Sequence, residues 1–269
     1  MKERTRLYTF LSLLFLLLLA VSGSFSGLAS ILLYISAFVL PTAVGLYFIK
    51  REEGIVNLPM KKVKNVRLIL PIVCPALLLI FLISYLTSLI IHLFGGADSS
   101  VTLYGNVGLD VLFNAALPAL LEESFFRLLP LLLIAPYSKR GALVVSSLCF
   151  AFAHTSLHSI PYALFAGITF FALDLLGESV WPSVALHFVN NVISLAWIYG
   201  SSSAPFCIIY IFVLVVLSLF SVAVILKRQK EYKRAIQENF LHSEEKHVPS
   251  EILFFIAPTL FIAIINVLG

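Results

Sequence analysis

Long apolar runs separated by short polar segments dominate the chain. Nine of these runs are candidate membrane spans, and they cover residues 7–22, 28–49, 68–94, 108–136, 141–157, 160–176, 180–199, 205–226 and 251–268. A helix needs about 20 apolar residues to cross a bilayer, and no run shows the short alternating strands of a membrane barrel. Because lipid offers no hydrogen-bond partner to an open backbone, the pattern predicts an all-α, polytopic transmembrane bundle of eight or nine helices.

Composition also indicates a membrane protein. Hydrophobic residues make up 60% of the 269 residues and charged residues 12%, against about 45–50% and about 25% in soluble domains. A soluble fold cannot cover that much apolar surface with polar side chains. The three cysteines lie inside apolar runs and show no CxxC spacing, so we expect neither a disulfide framework nor a thiolate metal site.

The basic residues indicate which loops face the cytoplasm. Seventeen of the 18 Lys and Arg residues lie in four polar segments, at positions 2–6, 50–67, 139–140 and 227–246. The alternate segments carry none, and they lie near residues 23–27, 95–107, 158–159 and 200–204. Cytoplasmic loops are rich in Lys and Arg, so we predict a multi-pass protein of the cell membrane with a cytoplasmic N-terminus. The net charge of +4 then reflects this orientation rather than a nucleic-acid partner.

The remaining basic residue, Arg127, lies in the middle of the fourth apolar run, where an unpaired cation costs roughly several kcal/mol. Glu123 lies four residues before it on nearly the same helix face, so the two can form a salt bridge. Glu122 is rotated by about 100° from Glu123 and must face another polar group. It can act as a general base for water, or all three residues can form a structural triad that fixes helix packing. Pro118 and Pro130 should kink or break this run.

Polar side chains of two further runs can join Glu122. His154 ends the fifth run, while His187 and Asn191 share one face of the seventh. Glu122 and His154 can deprotonate a water, and His187 and Asn191 can donate hydrogen bonds to an oxyanion. Alternatively, Glu122, His154 and His187 bind a catalytic zinc, although no HExxH motif is present. Membrane histidines also form simple helix-to-helix hydrogen bonds. His158 can be a further ligand, but its position near a loop favours an exposed residue without function.

Three short motifs, in this order along the chain, resemble the CPBP or Abi family of CAAX prenyl endopeptidases and bacteriocin-processing enzymes. The family's Glu-Glu-x-x-x-Arg is similar to residues 122–127, its Phe-x-x-x-His to residues 150–154, and its His-x-x-x-Asn to residues 187–191. The resemblance covers about residues 108–198. One departure is Leu128, because many members have Gly after the Arg.

The resemblance implies a helical intramembrane endopeptidase with a catalytic core at about 108–198. In the family's usual assignment, the first glutamate and the middle histidine activate water, and the last histidine and the asparagine stabilise the oxyanion. The catalytic residues are then Glu122, His154, His187 and Asn191, supported by Glu123 and Arg127. The family has also been described as metallopeptidases, so the zinc alternative stays open. Expected partners are the lipid bilayer and a membrane-anchored or hydrophobic peptide substrate, of CAAX type or another kind.

Two other functions stay open at this point. A non-catalytic membrane scaffold or bacteriocin-immunity protein would use the same polar cavity to bind a peptide or partner. A transporter would also place polar residues in the membrane, but no inverted repeat supports it. We predict a single integral membrane domain over residues 1–269, with a cytoplasmic polar segment at 227–250. Residues 1–95 and 200–269 carry no recognised motif and are expected to encode substrate or partner choice.

Overall fold

The computed structural model describes residues 2–94, 101, 103–154, 156 and 158–241. Their regular structure is helical, without strands, in α1 (Lys2–Gly23), α2 (Gly27–Glu53), α3 (Val66–Leu93), α4 (107–133), α5 (Lys139–Ala153), α6 (Ser159–Gly177), α7 (Trp181–Gly200), α8 (Ala204–Lys227) and α9 (Gln229–Ile236), with a π-helical turn at Gln237–Leu241. The all-α prediction is confirmed, and the first eight predicted spans coincide with α1 to α8. The ninth, 251–268, and the second half of the polar segment 227–250 lie outside the described residues.

Five of these helices are long and apolar enough to cross a membrane, by length and composition: α1, α2, α3, α6 and α8. In α8 only 17% of the most apolar window is buried within the protein, so most of its side chains are left to face lipid. The described helices therefore fit a membrane bundle, and the chain is a multi-pass membrane protein. The other three predicted spans, α4, α5 and α7, carry the candidate site. Of these, α5 has only 15 residues.

Close packing of aromatic rings fixes α1 and α2 against α4. The ring of Phe15 lies 5.0 Å from that of Phe38 and 4.7 and 5.4 Å from those of Phe125 and Phe126, between centroids. All four side chains are buried. Because lipid tails are as apolar as these side chains, tight packing rather than the hydrophobic effect holds membrane helices together. This cluster therefore defines the position of the helix that carries the two glutamates.

The two prolines of α4 distort the helix without breaking it. Its α-helical stretches Val107–Val111, Leu117–Glu123 and Leu129–Leu133 alternate with π-helical stretches Leu112–Ala116 and Ser124–Leu128. Each π-helical stretch ends two residues before one of the prolines. Proline has no N–H to bond the carbonyl four residues earlier, and π-helical turns within α-helices are frequent at functional sites.

The segment between α2 and α3 holds the turn between α6 and α7 through backbone contacts. Val180 N–H donates to the Pro59 carbonyl at 2.8 Å, and Lys64 N–H donates to the Gly177 carbonyl at 2.9 Å. The Ser179 hydroxyl adds a bond to the Lys61 carbonyl at 2.9 Å. This turn starts α7, which carries His187 and Asn191, so the segment contributes to the position of the candidate site.

Candidate active site

Arg127 forms the predicted salt bridge with Glu123 in a fully buried environment. Its Nε lies 3.0 Å from Glu123 Oε2, and neither side chain is exposed. Nη1 donates to the Ser146 hydroxyl of α5 at 2.9 Å. The guanidinium also lies over the Phe150 ring, 4.6 Å from its centroid, which is a cation–π arrangement. The cation is therefore neutralised within α4 and joined to α5.

The proline of the last α4 turn explains why Arg127 and Ser146 meet at one carbonyl. Pro130 has no N–H, so the Phe126 carbonyl four residues earlier lacks its helical partner. Arg127 Nη1 donates to this oxygen at 3.3 Å, and the Ser146 hydroxyl donates to it as well. The distortion of α4 thus creates a bonding site for the neighbouring helix.

Glu123 also binds the first imidazole of the site. His187 Nδ1 lies 2.8 Å from Glu123 Oε1, although His187 is 64 residues away in sequence. A carboxylate accepts hydrogen bonds, so Nδ1 carries the proton of this pair. The opposite ring nitrogen, Nε2, then lies 4.0 Å from Glu122 Oε2. The two adjacent glutamates therefore approach opposite edges of one histidine ring.

Glu122 is held by a residue that the sequence analysis did not identify. Tyr34 of α2 donates its hydroxyl to Glu122 Oε1 at 3.1 Å. The other oxygen, Oε2, is buried and has no hydrogen-bond partner among the described residues. Only 14% of the Glu122 side chain is exposed. One carboxylate oxygen is therefore held by Tyr34, and the other lies buried 4.0 Å from His187 Nε2.

His154 presents its second nitrogen to the same region. His154 Nδ1 lies 2.9 Å from the Phe150 carbonyl, which can only accept, so Nδ1 carries a proton and Nε2 is an acceptor when the ring is neutral. The Phe150 ring contacts both imidazoles edge to face, with centroids 4.8 Å from His154 and 5.6 Å from His187. No hydrogen bond or ion pair joins Glu122 to His154 in the described part of the chain.

His154, His187 and Asn191 line one cavity of about 570 Å³. Asn191 Oδ1 accepts a hydrogen bond from the neighbouring Asn190 amide at 3.3 Å, which leaves the Asn191 amide group as a donor. Glu122 does not line this cavity. Its Oε2 lies 4.0 Å from Nε2 of His187, which does. The structure thus gathers the three polar side chains around a common space, with Glu122 at its edge. His158, expected to be exposed, is half-buried and also lines this cavity, so that expectation is wrong.

The zinc alternative requires Glu122, His154 and His187 to lie together as donors. Across the described ranges, no group of three or more His, Cys, Asp or Glu side chains is arranged to hold a metal ion, and this includes Glu122, His154 and His187. The Nδ1 atoms of the two histidines are bonded to Glu123 and to the Phe150 carbonyl, so only Nε2 of each ring is left for another ligand.

The sequence did not predict the contacts of two supporting residues, for different reasons. Ser146 is a hydroxyl residue within an apolar run, and such residues often bond across membrane helices, so its position is a weak indication of such a bond. Tyr34 gave none, because its contact with Glu122 spans 88 residues and depends on how α2 packs against α4.

The fold and site define a multi-pass helical membrane protein with a buried carboxylate–imidazole group beside an internal cavity. Residues 104–193, about a third of the chain, match the family model for type II CAAX prenyl endopeptidase Rce1-like. The match supports a CPBP family intramembrane protease, and the resemblance predicted from the sequence is confirmed over this segment. The matched range contains all six predicted site residues. No curated protein and no solved structure matches the chain.

Proposed function

We propose that this protein is an intramembrane endopeptidase that hydrolyses a peptide bond of a membrane-associated substrate. The observation that carries the proposal is that Glu123 fixes His187 at 2.8 Å, with Glu122 4.0 Å from the opposite nitrogen, beside a cavity that His154 also lines. The family match over 104–193 supports protease activity. The substrate is a CAAX-type peptide or another membrane peptide.

In this mechanism Glu122 and His154 activate water. Glu122 Oε2 has no hydrogen-bond partner in the described ranges, and His154 Nε2 has a free lone pair, so both can accept from a water held between them. The water loses a proton to this pair as its oxygen attacks the carbonyl carbon of the peptide bond. The carbon–nitrogen bond then breaks, and the same proton passes to the leaving amine.

His187 and Asn191 stabilise the negative oxygen of the intermediate. Because Nδ1–H is bonded to Glu123, His187 donates from Nε2 only as the imidazolium. Asn191 contributes its side-chain amide, whose oxygen is bonded to Asn190. Donors fixed in advance around a developing charge are among the strongest contributions to catalysis.

The cavity walls fit a hydrophobic peptide. Most side chains that line the cavity are apolar or aromatic, including Leu77, Ile80, Phe81, Leu195 and Trp197. Sites of this kind bind apolar ligands and orient them with a few polar groups. A membrane peptide can therefore place its apolar side chains along these walls while one peptide bond lies against the polar residues.

The decisive experiment is a cleavage assay of the purified protein on candidate membrane peptides, with and without a prenylated C-terminus. We expect Glu122→Gln and His154→Ala to lower kcat by about 10²–10⁴-fold, the usual contribution of general acid–base groups. Glu231→Gln is the matched control, because Glu231 is an exposed partner of Arg67 at 3.4 Å. Full activity of the Glu122 variant would exclude this mechanism.

A chelator arm of the same assay tests the zinc alternative. Since Glu122, His154 and His187 are not arranged to hold a metal ion, we expect cleavage to persist after chelation and dialysis. Loss of activity on chelation, with recovery on adding Zn²⁺, would instead support a metallopeptidase. Inactivation that Zn²⁺ does not reverse would indicate damage to the protein, which its unfolding temperature would reveal.

A non-catalytic scaffold or immunity protein is the second candidate function. The complete burial of the Glu123–Arg127 pair favours it, because such a pair also suits a purely structural role. In that case Glu122→Gln leaves the cellular phenotype intact, whereas Arg127→Ala destroys it by leaving Glu123 unpaired. Loss of the phenotype in Glu122→Gln would favour the enzyme.

A further inference from the structure

A group of basic side chains lies where α3 begins and α8 ends. Arg228 Nη1 donates to the Arg67 backbone carbonyl at 3.0 Å, although the two residues are 161 positions apart in sequence. The Tyr232 hydroxyl of α9 donates to the Leu68 carbonyl at 2.7 Å. These two bonds hold the end of α8 and the start of α9 against the first turn of α3. They bring two basic segments of the sequence together at one junction.

The charge of this junction is strongly positive. The described stretches 61–67 and 227–234 contain nine Lys and Arg residues and a single acid, Glu231. Glu231 Oε2 lies 3.4 Å from Arg67 Nη2, and both side chains of this pair are exposed. Lys64 pairs with a glutamate at the turn between α6 and α7. Most of the positive charge of the two stretches is therefore not neutralised by acids of the described chain.

Lipid-facing side chains adjoin these cations. Leu226 precedes Lys227 and is 63% exposed, and Leu70, one turn after Arg67, is 63% exposed as well. Lys227 and Lys230 are themselves exposed and form no ion pair with the described residues. Both α3 and α8 are long and apolar enough to span a membrane, so the exposed leucines near their ends face acyl chains. The cations just beyond these leucines then lie at the level of the lipid headgroups.

The predicted orientation of the protein does not by itself explain this arrangement. The positive-inside pattern requires basic residues in cytoplasmic segments, but it does not require that two distant segments converge at one point. Like charges repel each other, so their convergence favours a ligand that supplies negative charge. Basic residues directly beyond a membrane helix attract anionic lipids, and basic pockets between membrane helices bind their headgroups.

We propose that the junction of α3, α8 and α9 binds the phosphate of an anionic phospholipid, whose acyl chains lie along the exposed apolar surfaces of α3 and α8. Arg228 uses Nη1 for the Arg67 carbonyl, and its other N–H groups can donate to phosphate oxygens. Lys227 and Lys230 add further donors. None of these residues lines the cavity of the candidate active site, so the inference does not depend on the proposed function.

Native mass spectrometry of the purified full chain tests this proposal. The protein is released from detergent in the presence of equal amounts of dioleoyl phosphatidylglycerol and dioleoyl phosphatidylcholine, and each bound lipid is identified by its mass. We expect the anionic lipid to be retained about fivefold more than the zwitterionic one. A second arm adds glycerophosphoglycerol, the soluble headgroup without acyl chains, in about tenfold excess over the lipids. We expect it not to displace the bound lipid, because the apolar surfaces of α3 and α8 contribute to binding.

Variants at the junction test which charges are responsible. The double substitution Lys227→Gln/Lys230→Gln should reduce the anionic preference to about twofold or less, whereas Lys227→Arg/Lys230→Arg should preserve it by keeping both charges. Lys50→Gln/Arg51→Gln is the matched control, because it removes the same charge from exposed positions at the end of α2. The main packing partners of α2 are α1 and α4. The control should keep most of the preference.

Equal retention of the two lipids by the unsubstituted protein would overturn the proposal. A preference that the Gln pair leaves unchanged would do the same, as would equal losses in the Gln pair and the α2 control. Loss of the preference in the Arg pair as well would show that charge at these positions is not the cause. Displacement by glycerophosphoglycerol would assign the junction to a soluble phosphate ester instead of a lipid. Because no peptide is cleaved in this assay, its outcome is independent of the test of the proposed function.

Discussion

The planar guanidinium group of Arg127 makes contacts of three kinds. Nε pairs with Glu123, Nη1 bonds the Ser146 hydroxyl, and the guanidinium plane lies over the Phe150 ring. A lysine at this position offers a single point charge and cannot reproduce this set of contacts. The residue is therefore a structural centre of the site as well as the counter-ion of Glu123.

Removal of this cation should destabilise the protein strongly. We expect Arg127→Ala to lower the free energy of unfolding by about 3–5 kcal/mol, because it leaves the buried Glu123 carboxylate without its guanidinium partner. Arg127→Lys should have an intermediate effect, since it keeps the charge and loses the bond to Ser146. Arg67→Ala is the control: its side chain is 74% exposed, and exposed ion pairs contribute under about 1 kcal/mol.

Denaturant unfolding in detergent micelles, followed by the intrinsic fluorescence, measures these differences. Equal effects of the Arg127 and Arg67 substitutions would show that the buried pair is no more important than a surface one.

The contacts of the site that could be predicted from sequence are the local ones. Glu123 and Arg127 are four residues apart, so helix geometry alone brings them together. The bond from His187 to Glu123 depends on how α7 packs against α4, and no pattern within either helix specifies it. For the same reason, the sequence predicts Glu122 as the carboxylate that acts with the histidines, whereas Glu123 makes the closer contact with His187.

At the scale of single helices, Asp174 caps the N-terminus of α7. The N-cap residue Val180 has no side chain able to accept a hydrogen bond, and Pro182 has no N–H. The buried Asp174, near the end of α6, accepts from Ser183 N–H at 2.9 Å with Oδ1. This is an N-terminal cap supplied by a neighbouring helix. Ser183 lies one turn before His187, so the cap also fixes the position of that ring.

We expect Asp174→Ala to reduce kcat of peptide cleavage with little change in KM, and to lower stability by about 1 kcal/mol, as loss of a cap does. Asp174→Asn should retain most of both properties, because its side-chain oxygen can still accept from Ser183. Ser203→Ala is the control, because Ser203 precedes α8 without a side-chain cap bond. Equal losses in the Ala and Asn variants would contradict the capping role.

The effect of the missing N–H at Pro130 can also be tested by substitution. Pro130→Ala restores a donor to the Phe126 carbonyl, which then competes with Arg127 and Ser146. We expect kcat to fall severalfold while the unfolding temperature stays the same or rises, since a regular helix is favoured. Pro205→Ala, in the first turn of α8, is the matched control and should change neither property. Unchanged activity of the Pro130 variant would show that the distortion is not needed.

Helix positions could be predicted far better than helix shape. The predicted run 141–157 corresponds to the helix Lys139–Ala153. The apolar pattern therefore predicts the position and approximate length of this helix. Pro118 and Pro130 indicated a disturbance of α4, but not that the chain would absorb it as π-helical turns. Apolar periodicity records which side chains are buried, whereas the π-helical turns depend on bonds to neighbouring helices.

At the scale of the whole molecule, the predicted orientation follows from the basic loops and can be measured directly. In a protein with Cys74, Cys149 and Cys207 replaced by Ala, Ser24→Cys tests the turn after α1, and Lys62→Cys tests the segment after α2. We expect a membrane-impermeant maleimide to label the first in intact cells and the second only after permeabilisation. Both positions are exposed. The reverse pattern would invert the predicted topology.

The salt bridge within α4 also has a consequence for the synthesis of the protein. The chain emerges from its N-terminus, so Glu123 and Arg127 enter the lipid together before α5, α6 and α7 have been made. Their charges cancel within a single turn, whereas the histidine that completes the group follows 64 residues after Glu123. The nascent helix therefore carries a counter-ion for Arg127 from the start, and the bond from His187 to Glu123 forms only after α7 has been made.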